Sequence, residues 1–262
     1  MKYKSMLIYL SMLVALVIMA LIGCKKKSSE NAGFSTMDVR MTDASGLYEK
    51  VVVDIREVLV HVEGSGWAKV NISRAGAYNL LDFNNGKDTL LAHGSILAGH
   101  VTQIRLVLGT NNYLVLNGVT ILMEAPSAEE SGLKININQT CEAGKNYVIW
   151  LDFNANKSVV LKGNGGYALK PVIRGFLADN SGSVSGDINP DLAANYVYAI
   201  PVGNINDTFA TYSRSDGYFK ICGLVAGSYY LTFSNNTSVV KVINPVYITA
   251  NAETNLGTVN IP

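Results

Sequence analysis

The stretch Tyr113–Met123, YLVLNGVTILM, consists of two apolar runs joined by the pair Asn117-Gly118. An Asn-Gly pair supplies the two positive-φ residues of a two-residue hairpin turn, so apolar runs on both sides of it indicate paired antiparallel strands. Strand-like runs separated by turn residues recur about every 8–12 residues after residue 24, and no window there has the period of an amphipathic helix. The hairpin and its repetition predict an all-β protein built of β-sandwiches.

The run Val51–Val62, VVVDIREVLVHV, changes its alternation within one predicted strand. Apolar residues occupy odd positions from 51 to 55 and even positions from 58 to 62. Because successive side chains point to opposite faces of a strand, this switch requires an extra residue or a strand that passes between two layers. We therefore predict a β-bulge or a layer crossing near Arg56-Glu57.

Composition excludes several classes of protein. The 262 residues are 48% hydrophobic, which argues against a disordered chain. The 21 Lys and Arg against 20 Asp and Glu leave a net charge of +1, without the basic excess of nucleic-acid-binding proteins. Three cysteines are too few for a disulfide framework or a four-cysteine zinc site. We predict no nucleic-acid partner, no cofactor and no metal, and we expect Cys141 and Cys222 to be buried free thiols.

The N-terminus has the features of an export signal. Two lysines lie within the first four residues, residues 5–22 carry no charge, and Leu21-Ile22-Gly23-Cys24 follows. A basic start, an apolar stretch and small residues at the cleavage point are typical of a secretory signal. The last four residues resemble a bacterial lipobox, which implies that residues 1–23 are a lipoprotein signal peptide and that Cys24 receives the lipid. The alternative is an uncleaved anchor, because the uncharged stretch is just long enough to span a bilayer.

Residues 24–33, CKKKSSENAG, are polar and lack apolar periodicity, so we predict a lipidated tether. Lys25 follows the lipidated cysteine, and by resemblance to enteric lipoproteins a residue other than Asp there does not retain the chain in the inner membrane. We predict an exported outer-membrane lipoprotein that contacts the membrane through the lipid on Cys24. The sequence leaves open whether it faces the periplasm or the cell surface.

A cluster of small polar residues, Ala178–Ser183, separates two regions of strands and predicts a domain boundary. We therefore expect two β-sandwich domains in tandem, 34–177 and 182–262. The second would contain seven short strands, at 183–188, 195–202, 207–213, 217–222, 228–234, 238–248 and 255–261.

The predicted first domain contains the motif Thr42-Asp43-Ala44-Ser45 at the end of its first strand. This motif resembles the TDAP-like opening of an uncharacterised family common among Bacteroidetes lipoproteins, a domain of unknown function, with Ser where Pro is usual. That family has no established activity, so the resemblance implies fold and location rather than mechanism. Further matching segments are Val51–Val58, Val60–Val62, Gly66-Trp67, Tyr78–Phe83, Gln103–Leu108, Ser131–Lys134, Leu151–Phe153 and Leu169–Arg174.

The predicted second domain contains Gly182–Gly186, Ser215–Ile221, Gly223-Leu224 and Gly227–Leu231. These segments resemble the carboxypeptidase-regulatory or transthyretin-like sandwich, which is grouped with carbohydrate-binding-like folds. The resemblance implies a fold but carries little information about function.

The sequence shows no catalytic constellation. It lacks the motifs of serine hydrolases, zinc proteases and phosphate-binding loops. His93 and His100 flank a predicted loop at 94–99 and could meet in space, but two histidines do not make a metal site. His61 is expected to be a packed or surface histidine of a strand. We therefore predict that the protein is not an enzyme.

Other polar and aromatic residues of the first domain have ordinary structural interpretations. Asp43 is expected to cap a turn with its side chain. Asp82 and Asp152 each lie in an LDF triplet and are expected at turns or on the surface. Trp67 and Trp150 are expected to support the core.

Tyrosines are concentrated in the second domain, which holds seven of the fourteen. Strand parity places Tyr196, Tyr198, Tyr218 and Tyr230 outward. Outward aromatic rings can stack on sugar rings or form a partner interface, and they are also common on solvated strand faces. These four residues form the candidate ligand or partner surface.

These features together predict a lipid-anchored cell-envelope binding or adhesion protein without catalytic activity. Carbohydrate is one candidate ligand, and another envelope protein is a second. The alternative is a structural accessory or spacer subunit of an outer-membrane surface assembly.

Overall fold

The alternating apolar pattern folds into strands along almost the whole chain. The computed structural model describes residues 33–43, 48–191, 196–205, 207–235 and 238–261. The predicted signal peptide, Cys24, the tether up to residue 32 and Ala44-Ser45 of the TDAP-like motif lie outside these residues. No helix in the described ranges combines the length and the apolar character needed to cross a membrane.

The segment 34–177 forms a single hydrogen-bonded network of 13 strands, in which β2 is the most connected strand. Its regular elements among the described residues are β1 (Phe34–Asp43), β2 (Lys50–Val62), β3 (Gly66–Ile72), β4 (Gly76–Asn79), β5 (Thr89–Leu97), β6 (Gly99–Leu108), β7 (Tyr113–Leu116), β8 (Val119–Glu124), α1 (Pro126–Glu130), β9 (Leu133–Cys141), β10 (Asn146–Phe153), α2 (Ala155–Ser158), β11 (Val159–Leu161), β12 (Tyr167–Leu169) and β13 (Ile173–Leu177).

The predicted hairpin and bulge are both confirmed. β7 and β8 pair antiparallel, and φ is 51° at Asn117 and 74° at Gly118. In β2 the register against β6 shifts between Ile55 and Glu57, where the parity of the sequence changes. Before this bulge β2 pairs with β4 and β7, and after it β2 pairs with β3 and most of β6. The bulge therefore allows the two halves of β2 to pair with different neighbouring strands.

Two expectations for this region are wrong. The apolar run 167–177 predicts one strand, but the chain divides there into β12 and β13, because Pro171 cannot donate a ladder hydrogen bond. The expected loop at 94–99 is largely strand, since β5 continues through Leu97 and pairs with β1. Gly94 lies inside β5 close to Val70, and a strand with a central glycine carries a weak sequence signal.

The segment 181–261 contains seven strands among its described residues, as predicted. They form two sheets, with orders β17-β14-β20 and β16-β15-β18-β19, whose inner faces share one hydrophobic core. Phe219 and Phe233, one from each sheet, pack edge to face with ring centroids 5.5 Å apart. The strands are β14 (Ser181–Asn189), β15 (Tyr196–Pro201), β16 (Phe209–Tyr212), β17 (Tyr218–Val225), β18 (Gly227–Ser234), β19 (Val239–Ile248) and β20 (Glu253–Asn260).

The fold is therefore all-β with two separate hydrophobic cores, one on each side of the turn Ala178–Asn180. Residues 33–262 nevertheless form one compact unit. The division into domains at 34–177 and 182–262 stays a prediction. The contacts between the two cores determine where the candidate sites lie.

Candidate functional site

Three tyrosines gather on the outer face of the sheet β16-β15-β18-β19. Alternation along β15 buries Val197 and turns Tyr196 and Tyr198 outward, with ring centroids 5.9 Å apart and planes 9° from parallel. Tyr212 of β16 lies opposite Tyr196, and the centroids of their rings are 3.9 Å apart. Burial, followed by the neighbouring Tyr198, raises the pKa of the Tyr196 phenol above its usual range. We call Tyr196, Tyr198 and Tyr212 the tyrosine cluster.

The other two predicted tyrosines are placed differently. Tyr230 of β18 is on the same sheet, paired with Ile200, two positions along β15 from Tyr198. Tyr218 belongs to β17 in the opposite sheet, and its neighbour Phe219 points into the core between the sheets. Because the outer faces of the two sheets look in opposite directions, Tyr218 cannot share one surface with Tyr196 and Tyr198. The sequence predicts the parity of each tyrosine but not the pairing of its strand.

Polar groups from α2 and the residue before it complete the tyrosine cluster. Asn154, Asn156 and Lys157 line a cavity of about 90 Å³ together with the three tyrosines. The Asn154 side chain accepts a hydrogen bond from the Lys157 amide, which leaves its own amide group free to donate. The Tyr212 hydroxyl is buried and has no hydrogen-bond partner within the described residues. Aromatic rings beside amides can hold a polar ligand that has one apolar face.

A largely buried ion pair of the first core lies next to this cavity, at the junction with the second core, which its arginine contacts. Arg174 of β13 donates to the Asp152 carboxylate of β10 at 2.5 Å and to the carbonyl of Cys222 at 3.4 Å. Its guanidinium also lies 3.7 Å from the ring centroid of Phe209. Burial raises the pKa of Asp152 above its usual range, and the Arg174 charge opposes that shift. The expectation of a turn or surface position for Asp152 is therefore wrong, because the second core covers it.

Asn85 connects the same two regions through its side chain. Its Oδ1 accepts from the Lys220 amide at 3.1 Å and from the Thr211 hydroxyl at 3.2 Å. Its Nδ2 donates to the Tyr212 carbonyl at 3.0 Å. Asn85 has a positive φ of 51°, so the Asn-Gly pair does form a turn here, and that turn presents the amide to the second core. Sequence reasoning missed this role, since its partners lie more than a hundred residues away.

A wider groove opens on the other side of this junction. Its volume is about 310 Å³, and its walls include Trp150, Phe176, Lys220 and Glu253. The rings of Trp150 and Phe176 stack with centroids 6.1 Å apart. A side chain at Gly223 would collide with the Phe176 ring, so the two cores approach closely at that glycine. Trp150 therefore packs at the junction rather than within the core, and Trp67, which is 40% exposed, lies outside the core too.

The histidines and aspartates make separate contacts. His93 Nδ1 lies 2.5 Å from Asp38, and His61 Nδ1 lies 2.7 Å from the Thr102 hydroxyl. Asp43 accepts from the first amide of α2, a partner distant in sequence, and the turn that it is expected to cap lies outside the described residues. Within the described ranges, no three His, Cys, Asp or Glu side chains are grouped so that they could hold a metal ion.

Both cysteines of the described residues are free thiols. Cys141 is buried, whereas Cys222 is only half-buried beside the groove. Burial raises the pKa of each to about 11. A thiol with so high a pKa is almost entirely protonated near neutral pH, so neither is an activated nucleophile.

Comparisons with known proteins identify the first region. The profile of a family described as a domain of unknown function (DUF4382) matches residues 34–171. No curated protein matches the chain.

Several solved structures match the chain, all with low similarity. A type II cohesin–X-dockerin complex from Acetivibrio cellulolyticus is 25% identical with a TM-score of 0.24, over 30% of this chain and 56% of the other. The Bacillus anthracis TIE protein is 9% identical with a TM-score of 0.27, over 88% and 34%. The minor pilin of Streptococcus agalactiae is 9% identical with a TM-score of 0.26, over 86% and 95%. The chain thus spans about half of the first of these proteins and a third of the second.

Proposed function

The chain belongs to the DUF4382 family, and from that premise we propose that it is a lipid-anchored cell-envelope protein that binds a ligand without catalysing a reaction. The lipid would be carried by Cys24, and the described residues would present the binding surface outside the membrane. The observation that carries the binding role is the tyrosine cluster beside the amides of Asn154 and Asn156. A carbohydrate fits this chemistry, because its C–H face stacks on aromatic rings while its hydroxyls bond to amides.

Glycan-array binding of the detergent-solubilised full chain tests this role. We expect the double substitution Tyr196→Ala/Tyr198→Ala to weaken binding to any glycan retained on the array by about tenfold or more. Tyr218→Ala is the matched control, because it removes an outward tyrosine from the opposite sheet. Unchanged binding by the double variant, or an equal loss in the control, would contradict the proposed surface.

Metabolic labelling tests the anchor independently. Cells that express the protein with Cys24→Ala should incorporate no labelled palmitate into it, whereas the unsubstituted chain should be labelled. Continued labelling of the variant would show that Cys24 is not the lipidation site. The outer-membrane location is tested by fractionation of the same cells.

A second candidate function is a spacer or accessory subunit of an outer-membrane surface assembly. The observation that favours it is the junction of the two cores, where Arg174 and Asn85 of the first core contact the second. Stoichiometric co-purification with one envelope protein, together with no retention on glycan arrays, would favour the spacer. Retention on the array that depends on the tyrosine cluster would favour the binding protein.

A further inference from the structure

The outer face of the sheet β3-β2-β6-β9 carries an exposed aromatic and cationic cluster. Trp67 of β3 is 40% exposed, and its ring lies 5.1 Å from the ring of His61 on β2. The guanidinium of Arg105 on β6 lies 4.1 Å from the centroid of the indole. This face belongs to the first core, and none of these residues lines the junction or the tyrosine cluster. We call Trp67, His61 and Arg105 the Trp67 cluster.

The charge of Arg105 is not balanced by any described residue. Its Nε atom is buried and has no hydrogen-bond partner, and its guanidinium forms no ion pair within the described ranges. Because Nε is buried, a ligand on this face would meet the terminal nitrogens of the guanidinium, which donate to no described residue. The other arginines differ, because each donates to an oxygen: Arg40 to Asp88, Arg56 to Asp54, Arg74 to the Ala77 carbonyl, Arg174 to Asp152 and Arg214 to Asp216.

A second uncompensated cation lies directly beside Arg105. Lys134 of β9 is its register partner, and it forms no ion pair with a described carboxylate. Like charges placed directly opposite each other destabilise an antiparallel pair. On the same face, Lys69 is already paired with Glu57 at 2.7 Å. The two free cations therefore form a small positive site that a bound anion would stabilise.

Neutral hydrogen-bonding groups extend this site across the sheet. Gln103 lies opposite His61, and on its other side it lies opposite Asn136 of β9. The Gln103 amide donates to Asn136 Oδ1 at 3.1 Å, so each amide keeps further donors or acceptors for a ligand. A row of amides beside an indole matches sugar hydroxyls and C–H faces better than it matches a lipid headgroup or an acidic peptide.

We propose that this face binds an acidic polysaccharide built of uronic-acid units. A sugar carboxylate would accept hydrogen bonds from the two terminal nitrogens of Arg105, and Lys134 would contact the same or the next carboxylate. A sugar ring would pack against the exposed part of the Trp67 indole, and its hydroxyls would bond to Gln103 and Asn136. The site is distinct from the tyrosine cluster, so the loss of either leaves the other testable.

Affinity electrophoresis of the full chain in gels that contain polygalacturonate tests the proposal. We expect retardation by polygalacturonate and none by its fully methyl-esterified form, which has the same sugar backbone without the charge. Arg105→Met and Trp67→Ala should each weaken binding by about tenfold or more. Arg214→Met is the matched control, since that guanidinium also faces an aromatic ring but has Asp216 as its partner. It should bind like the unsubstituted chain.

Three results would overturn the proposal: equal retardation by the esterified polymer, equal loss in the Arg214→Met control, or binding of equal strength to polyglutamate or to vesicles of anionic phospholipid. If Arg105→Met fails to fold, Lys134→Gln replaces it, because Lys134 is exposed. We expect this variant to bind severalfold more weakly, and unchanged binding would contradict the proposal. The Tyr196→Ala/Tyr198→Ala variant should retain full polygalacturonate binding, so this proposal and the proposed tyrosine surface can fail separately.

Discussion

Two arginines stacked on aromatic rings occupy very different surroundings in this molecule. Arg174 lies over Phe209 at the junction of the two cores, and its charge is met by Asp152 and by the Cys222 carbonyl. Arg105 lies over Trp67 on an open sheet face, and no described carboxylate or carbonyl accepts from it. The Arg174 charge thus has a partner, whereas the Arg105 charge has none among the described residues. A charge with a partner stabilises the fold, whereas a charge without one is available to a ligand.

The largest effect on the free energy of unfolding is expected from substitution of Arg174. Arg174→Met leaves the Asp152 carboxylate, whose side chain is only 14% exposed, without its counter-ion. An uncompensated buried charge should lower the free energy of unfolding by about 3 kcal/mol, measured by urea denaturation. The double variant Asp152→Asn/Arg174→Met removes the orphaned charge and should recover at least about 1 kcal/mol of that loss. A double variant no more stable than Arg174→Met would show that the orphaned Asp152 charge does not cause the loss.

A smaller loss is expected from the second connection between the cores. Asn85→Ala removes three hydrogen bonds to the second core, and it leaves the Lys220 N–H without this acceptor. Asn117→Ala is the matched control, because Asn117 has the same φ of 51° in a hairpin turn of the first core. We expect Asn85→Ala to lower the free energy of unfolding by about 2 kcal/mol more than the control does. Equal losses would assign the whole effect to backbone strain rather than to the junction.

Sequence patterns predict the local parts of this comparison well. The turn at Asn117-Gly118, the bulge after Ile55 and the seven strands of the second region all follow from neighbouring residues. Each depends on alternation or on a preferred turn conformation, and both are encoded within a few positions. The expectation of a domain of unknown function in the first region is also confirmed, by the match to residues 34–171.

The junction and the exposed cluster could not be predicted in the same way. Asn85 acquires its role from partners in the second core, and Asp152 is paired with Arg174, which itself contacts that core. Trp67 is exposed on the outer face of its sheet. Pairing between distant strands fixes all three environments, and residue type alone does not encode that pairing. Tyr218 shows the same limit, since its parity is correct but its sheet is not the one that carries Tyr196.

A pH-dependent effect on stability, smaller than the two above, is expected from Glu253 at the edge of the junction. Glu253 accepts from Lys220 and Ser185, and these hydrogen bonds, that of Lys220 first, hold the pKa of Glu253 below its usual value of 4.5. A lowered pKa in the folded state gives stability that is present above pH 4.5 and is lost as the pH falls through the folded-state value. Glu253→Gln should therefore be less stable than the unsubstituted chain at pH 7, by under about 1 kcal/mol, because the group is partly exposed.

Urea denaturation at pH 7 and pH 3 measures this difference. The difference in the free energy of unfolding between Glu253→Gln and the unsubstituted chain should shrink at the lower pH, where Glu253 takes up a proton. A gap of the same size at both values would mean that the substitution acts through packing rather than through the charge of Glu253.

The most direct measurement of the contrast between the two arginines is the unfolding free energy of Arg105→Met set beside that of Arg174→Met in the same urea series. Because Met keeps the apolar stem and removes a buried Nε that has no partner, we expect Arg105→Met to remain within about 0.5 kcal/mol of the unsubstituted chain. Arg174→Met should lose about 3 kcal/mol. A loss in Arg105→Met as large as that in Arg174→Met would show that both arginines serve the fold, and it would contradict the assignment of Arg105 to a ligand.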